Sequence, residues 1–148
     1  MSNDPAGEAS NARRSGVKPP VRPLSPHLQI WRWHVTMLGS ILSRVTGIAL
    51  YAGAFAVVAW LVALALGGSW YECFVAYAAS PLGLLVWLGF SASGFYHLAA
   101  GVRHTIWDLG AGLTPPKANL LTHLSIWFAV IATVAFWAWL FLSGKVVL

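Results

Sequence analysis

The stretch that decides the fold is residues 45–66, VTGIALYAGAFAVVAWLVALAL, which contains no Asp, Glu, Lys or Arg. As an α-helix it would be about 33 Å long, enough to cross a hydrocarbon layer of about 30 Å. Two further windows, 82–102 and 118–144, are equally free of these residues, and Pro81 directly precedes the first of them. Lipid offers the backbone no hydrogen-bond partners, so three such windows predict helices.

The predicted fold is therefore an all-α membrane protein with three transmembrane helices. We place the spans at about residues 38–66, 82–107 and 118–142, within a membrane anchor domain that covers residues 23–144. Three short helices bury little surface against one another. The chain is accordingly expected to be part of a heteromeric helix bundle.

Composition excludes several other classes of protein. Of the 148 residues 58% are hydrophobic and 9% charged, against about 25% charged in an ordinary soluble domain. The net charge of +5 reflects a scarcity of acids, so it gives little reason to expect nucleic acid as a partner. The single cysteine, Cys73, excludes an intrachain disulfide, a zinc ribbon, an iron–sulfur site and c-type haem attachment.

The N-terminal segment differs from the rest of the chain. Residues 1–22 are rich in Ser, Gly, Asn, Ala and Pro without an apolar period, which predicts a disordered tail. No apolar stretch follows a short basic start, so a secretory signal peptide is not expected. Asp4 and Glu8 argue against a mitochondrial transit peptide. The bacterial inner membrane is the predicted location.

Basic residues predict the orientation. The loop predicted at residues 67–80 carries Glu72 and no Lys or Arg. The positive-inside rule therefore places the N-terminus in the cytoplasm and the C-terminus in the periplasm. The basic residues that precede the uncharged window 45–66 are Arg13, Arg14, Lys18, Arg22, Arg32 and Arg44.

One histidine lies inside a predicted span, where a polar group without a partner is costly and often functional. His97 shares a helical face with four residues at spacings of three and four, namely Gly94, Gly101, His104 and Asp108. The glycines would leave a shallow groove suited to a flat macrocycle, and His104 would lie about 10 Å nearer the cytoplasm, within reach of haem propionates. The alternative is helix packing through small residues, with His97 bonded to a neighbouring backbone. Asp108 would cap the helix or pair with Arg103.

A second set of residues shares one face of a predicted helix, namely Ser40, Arg44 and Gly47. Residues 31–44 are expected to lie along the membrane interface or dip into it. There the hydroxyl and the guanidinium could hold a quinone carbonyl and stabilise the anion formed on its reduction. The alternative is that Arg44 reaches the lipid headgroups and serves as an anchor only.

Three motifs resemble the cytochrome b membrane anchors of succinate dehydrogenase, respiratory complex II. They are RPLSPHLQIW (22–31), SILSRVTGIAL (40–50) and YHLAAGVRHTIWD (96–108). The resemblance implies haem b shared with a second membrane anchor subunit, each chain supplying one axial histidine, which is His97 here. It further implies that Ser40 and Arg44 contact ubiquinone and that Arg44 and His104 lie near the haem propionates. Many members of that family have histidine where this chain has Ser43, so the propionate contacts differ in detail.

The sequence thus predicts a subunit of succinate:ubiquinone oxidoreductase that cannot oxidise succinate without its partners. The implied partners are a flavoprotein subunit, an iron–sulfur subunit, the second anchor and membrane lipid. Within hydrocarbon the chain offers only His97, so a second haem ligand would come from another chain. The alternatives are a non-redox membrane scaffold and a fumarate reductase anchor that uses menaquinone.

Overall fold

Four helices form between residues 31 and 144, the part of the chain that the computed structural model describes. They are α1 (Val35–Leu66), α2 (Gly68–Ala79), α3 (Pro81–Asp108) and α4 (Pro115–Leu142). Helices α1, α3 and α4 are long and apolar enough to cross a membrane. The predicted class, an all-α membrane protein with three such helices, is confirmed. The predicted tail at residues 1–22 lies outside the described residues.

Helix α1 is longer than a bilayer requires. Its 32 residues correspond to about 48 Å of helix, against about 30 Å of hydrocarbon. Residues 35–44, which are expected to lie along the membrane interface or dip into it, form the first turns of α1 itself, and their depth in the membrane stays a prediction. No proline or glycine pair interrupts the backbone ladder between Val35 and Leu66, so Ser40 and Arg44 belong to the same rigid rod as the apolar stretch.

The expected loop at residues 67–80 is also wrong, since most of it is α2. Gly67 and Gly68 adopt positive φ angles of 65° and 54°, a conformation that glycine takes without steric cost. The Gly67 amide donates to the Ala63 carbonyl at 3.0 Å and closes α1. The turn changes the direction of the chain, and the next twelve residues contain no proline and no further glycine, so a helix resumes at once.

Helix α3 begins with a side-chain cap. The Ser80 hydroxyl oxygen accepts a hydrogen bond from the Gly83 amide at 3.1 Å and donates to the Tyr77 carbonyl at 2.7 Å. This bond satisfies one of the amides that a helix start leaves without a partner. Pro81 follows in the first turn, and prolines open α4 in the same way, as the sequence predicts.

Helix α3 packs against both α1 and α4. Three glycines of α1 mark its path along α3, because a Cβ atom added to each would contact a residue of α3: Gly39 faces Arg103, Gly47 faces His97 and Gly53 faces Phe90. The numbers rise along α1 while they fall along α3, so the two helices are antiparallel.

The core between these helices is small. Its buried apolar residues are Tyr96, Ala100 and Ala129, with Leu42, Phe95 and Ile126 packed against them. Small and hydroxylated side chains complete it, as is usual between membrane helices. Most large apolar side chains of the described residues are exposed, which leaves wide surfaces for lipid or for other subunits.

Candidate functional site

His97 lies on the side of α3 that borders α1. Its Nδ1 atom is 3.4 Å from the hydroxyl oxygen of Thr46. Gly47, the next residue, gives the ring room, because a Cβ there would lie 3.2 Å from His97 Cε1. His97 as a whole is exposed on the surface of the chain. Thus one ring nitrogen faces α1, while Nε2 makes no hydrogen bond within residues 31–144.

The face of α3 around His97 is open, as its spacing predicts. A Cβ added to Gly94 or Gly101 would meet no heavy atom within 4 Å. His104 and Asp108 are exposed on the same side, and the His104 ring meets Trp107 edge-on with centroids 5.2 Å apart. This face of the chain therefore has the free space and the unused ligand atom that a planar macrocycle requires.

Ser40 and Arg44 lie toward the same end of the molecule as His104. Gly47 is opposite His97. Ser40 precedes Gly47 by seven residues, which is about 10 Å along α1. His104 follows His97 by the same number of residues along α3. Because α1 and α3 are antiparallel, Ser40 and His104 are level. Arg44 is exposed and Ser40 half-buried. The predicted quinone and propionate residues thus occur at one end, one to two turns from the His97 level.

Arg103 has a structural role that its position in the sequence does not reveal. It is only 2% exposed, although a cation at a span margin is usually a boundary marker. Its Nη1 donates to the Thr122 hydroxyl at 3.2 Å, and its guanidinium carbon lies 4.9 Å from the centre of the Trp107 ring. The prediction that Asp108 pairs with Arg103 is wrong, because the Arg103 guanidinium points into the helix bundle toward Thr122.

Arg103 takes part in a contact that joins α1, α3 and α4. The Tyr96 hydroxyl donates to the Gly39 carbonyl at 2.8 Å. A Cβ on Gly39 would lie 2.6 Å from both Arg103 Nη1 and Thr122 Cγ2. We call these four residues, Gly39, Tyr96, Arg103 and Thr122, the three-helix polar contact. It holds the Ser40 end of α1 against α3 and so fixes the geometry of the candidate site.

The sequence does contain a signal for the buried face of α3. Tyr96, Ala100 and Arg103 follow spacings of four and three, so they share one side of a helix. That face borders the His97 face. On α4 the buried residues repeat in the same way, at Thr122, Ser125, Ala129 and Thr133.

Comparison with known proteins agrees with the three motifs. The model of the succinate dehydrogenase/fumarate reductase transmembrane subunit family matches residues 18–136. The chain is 37% identical over 113 residues to the succinate dehydrogenase cytochrome b556 subunit of Paracoccus denitrificans, covering 76% of this chain and 87% of that protein. It is 30% identical over 116 residues to the protein of the same name from Rickettsia felis, covering 78% and 90%.

A mitochondrial relative matches over a shorter length. The succinate dehydrogenase cytochrome b560 subunit of Sus scrofa is 43% identical over 100 residues, which is 65% of this chain and 58% of that protein. The range matched by the family model covers all three motifs that resemble this family. The chain belongs to the family of succinate dehydrogenase and fumarate reductase transmembrane subunits.

Proposed function

We propose that this chain is the haem b-binding membrane anchor of a bacterial succinate:ubiquinone oxidoreductase. The observation that carries the proposal is the exposed imidazole of His97, with Nδ1 directed at Thr46 and Nε2 left free beside an open glycine face. The names of the relatives support a b-type cytochrome. A purely structural anchor has no need for an exposed histidine in the middle of an apolar helix.

His97 would supply one axial ligand through Nε2. Bound haem b accepts and returns a single electron. Gly94 and Gly101 leave room for the ring system, and His104 and Arg44 supply polar groups at the end where propionates would lie. His104 is two turns from His97, too far along the axis to ligate the same iron. The second ligand would therefore come from a second anchor subunit.

Ser40 and Arg44 would bind ubiquinone at the same end of the helix pair. A serine hydroxyl can donate to a quinone carbonyl, and a guanidinium adds a permanent charge and directional donors that stabilise the reduced form. A quinone that arrives from lipid must meet electrons that arrive from a soluble iron–sulfur subunit, and this end of α1 is where both can reach. Succinate would be oxidised on the flavoprotein subunit.

The basic N-terminal half supports an orientation with this end at the cytoplasmic side of the inner membrane. The soluble subunits would then dock in the cytoplasm. The Cys73 side of the chain would face the periplasm.

Substitution of His97 tests the haem assignment. We expect His97→Ala in the purified complex to lose the b-type reduced-minus-oxidised spectrum, while the subunits still co-purify. His123→Ala is a matched control, because His123 is an exposed histidine on α4 and we assign it no ligand role. A normal low-spin spectrum in His97→Ala would refute the assignment and leave the chain as a scaffold.

Substitution of Ser40 and Arg44 tests the quinone site. Loss of one neutral hydrogen bond costs about 0.5–1.5 kcal/mol and of a charged one about 1.5–3 kcal/mol. We expect Ser40→Ala to lower ubiquinone reduction up to about tenfold and Arg44→Leu to lower it by about 10- to 150-fold, both with dye-linked succinate oxidation intact. Parental ubiquinone reduction in both assembled variants would mean that the quinone binds elsewhere. Reduction of fumarate with menaquinol as the electron donor, in place of ubiquinone reduction by succinate, would identify a fumarate reductase instead.

A further inference from the structure

We infer that Thr46 is a positioning residue that sets the tautomer of His97, holding the ring proton on Nδ1 and leaving Nε2 as the nitrogen that binds the haem iron. The inference rests on the proposed function, because it concerns the ligand that His97 presents to the haem. It assigns a role to a residue that the motif spacing did not single out.

The direction of the Thr46 hydroxyl carries the argument. Its oxygen is 2.7 Å from the Leu42 carbonyl and 3.2 Å from the Ser43 carbonyl. A hydroxyl has a single proton and two lone pairs. At 2.7 Å the Leu42 carbonyl accepts the hydrogen bond from the Thr46 hydroxyl. This is the back-bonding geometry common for threonine in helices.

The oxygen of Thr46 is then an acceptor toward His97. Its distance to Nδ1 is 3.4 Å, much longer than the bond to the Leu42 carbonyl, so Thr46 does not donate to the ring. A proton on Nδ1 makes the contact attractive, whereas a lone pair there would face the lone pairs of the oxygen. If the distance between His97 Nδ1 and the Thr46 oxygen shortened by about 0.3 Å, it would fall in the usual range for an N–H···O hydrogen bond.

The Thr46 side of this contact is buried, while His97 is exposed. Thr46 is 9% exposed, and Gly47 lets the imidazole approach α1, since a Cβ there would press on Cε1 at 3.2 Å. In such an apolar setting a ring proton without an acceptor is costly. The pair Thr46 and Gly47 thus supplies both the acceptor and the space, and one edge of the ring is fixed.

A hydrogen bond on the nitrogen opposite the metal makes histidine a stronger electron donor. A stronger donor stabilises ferric over ferrous haem, so the bond lowers the midpoint potential. Removing the acceptor therefore raises the midpoint potential of the haem. The same change leaves the ring less firmly oriented. This broadens the electron paramagnetic resonance spectrum of the low-spin ferric haem.

The experiment compares Thr46→Val with Thr46→Ser in the complete complex purified from membranes. Valine keeps the branched shape without the hydroxyl, and serine keeps the hydroxyl without the methyl. The matched control is Thr133→Val, because Thr133 is also buried, 8% exposed, and donates to the Ala129 carbonyl at 2.7 Å. The readouts are the haem content, the midpoint potential from a spectroelectrochemical titration and the electron paramagnetic resonance spectrum of the low-spin ferric haem.

We expect a raised midpoint potential or lost haem in Thr46→Val, and parental values in Thr46→Ser and Thr133→Val. A parental potential in Thr46→Val would overturn the inference. Equal changes in Thr46→Val and Thr46→Ser would also overturn it, because they would assign Thr46 a packing role. A parental complex without b-type haem would instead refute the proposed function, so the two failures are distinguishable.

Discussion

Replacement of Gly39 by alanine tests the three-helix polar contact. The new Cβ would lie 2.6 Å from Arg103 Nη1 and 2.6 Å from Thr122 Cγ2. The arginine end could swing away, but the Thr122 side chain is short, branched and fully buried. Relief of the clash with Thr122 therefore requires α1 to move away from α4, and relief of the clash with Arg103 costs its hydrogen bond to Thr122.

The expected cost follows from these two effects. Overpacking in a core costs about 1–3 kcal/mol, and loss of a hydrogen bond to a charged group costs about 1.5–3 kcal/mol. Alanine returns up to about 1 kcal/mol through its higher helix propensity. We expect a net destabilisation of about 1.5–5 kcal/mol, seen as a fall of several degrees in the temperature at which half of the complex is lost.

The assay is the fraction of purified complex that remains monodisperse after heating in detergent. One scan rate is used throughout, because such unfolding is usually irreversible. Gly89→Ala is the matched control, since Gly89 is an exposed helical glycine whose added Cβ would meet no atom within 4 Å. Equal stability of the two variants would refute the close packing of Gly39 against Arg103 and Thr122.

Three further predictions concern other parts of the chain. Ser80→Ala removes the cap on the Gly83 amide and lowers the stability of the complex by about 1 kcal/mol, measurable by the same heating assay; an unchanged midpoint would make the cap unimportant. Gly47→Val presses a branched side chain onto the His97 ring, so we expect haem content to fall sharply in the assembled complex, and full haem content would contradict the contact. A membrane-impermeant thiol reagent is expected to label Cys73, which is exposed in the chain, from the periplasmic side; labelling solely from the cytoplasm would reverse the proposed orientation.

The long helices could be predicted because the membrane imposes a simple rule on the sequence. A backbone in lipid must satisfy its own hydrogen bonds, so uncharged windows of sufficient length are helices. Helix α2 escaped this reasoning because it is only twelve residues long and follows the glycine pair at 67 and 68. Those glycines directly follow the predicted span 38–66, and α1 does end at Leu66, yet nothing in their chemistry prevents a second helix from starting immediately afterwards.

The candidate site was only partly predictable, since spacing describes one helix at a time. The sequence placed Ser40, Arg44 and Gly47 on one face of α1, and His97 and His104 on one face of α3. Spacing does not reveal how two helices are rotated against each other. The contact of Thr46 and Gly47 with His97 therefore appears only in the structure.

Arg103 shows a different limit. A cation near the end of a span is usually counted as a marker of orientation, because its charge favours the headgroup region. Its burial depends on Thr122 in α4 and Gly39 in α1, which are far from it in sequence. Only the fold brings the Arg103 guanidinium next to the Thr122 hydroxyl and the space left by Gly39.

The unbroken course of α1 limits which sequence changes the chain can accept. Each residue advances the helix by about 100° and 1.5 Å. Deletion of a single residue between Arg44 and Thr46 would therefore swing Ser40 and Arg44 about a quarter turn around the axis, away from the side on which His97 lies. Substitutions there change one side chain, whereas a change in length would separate the two halves of the site. Val45, the one residue between Arg44 and Thr46, thus acts as a spacer whose presence matters more than its side chain.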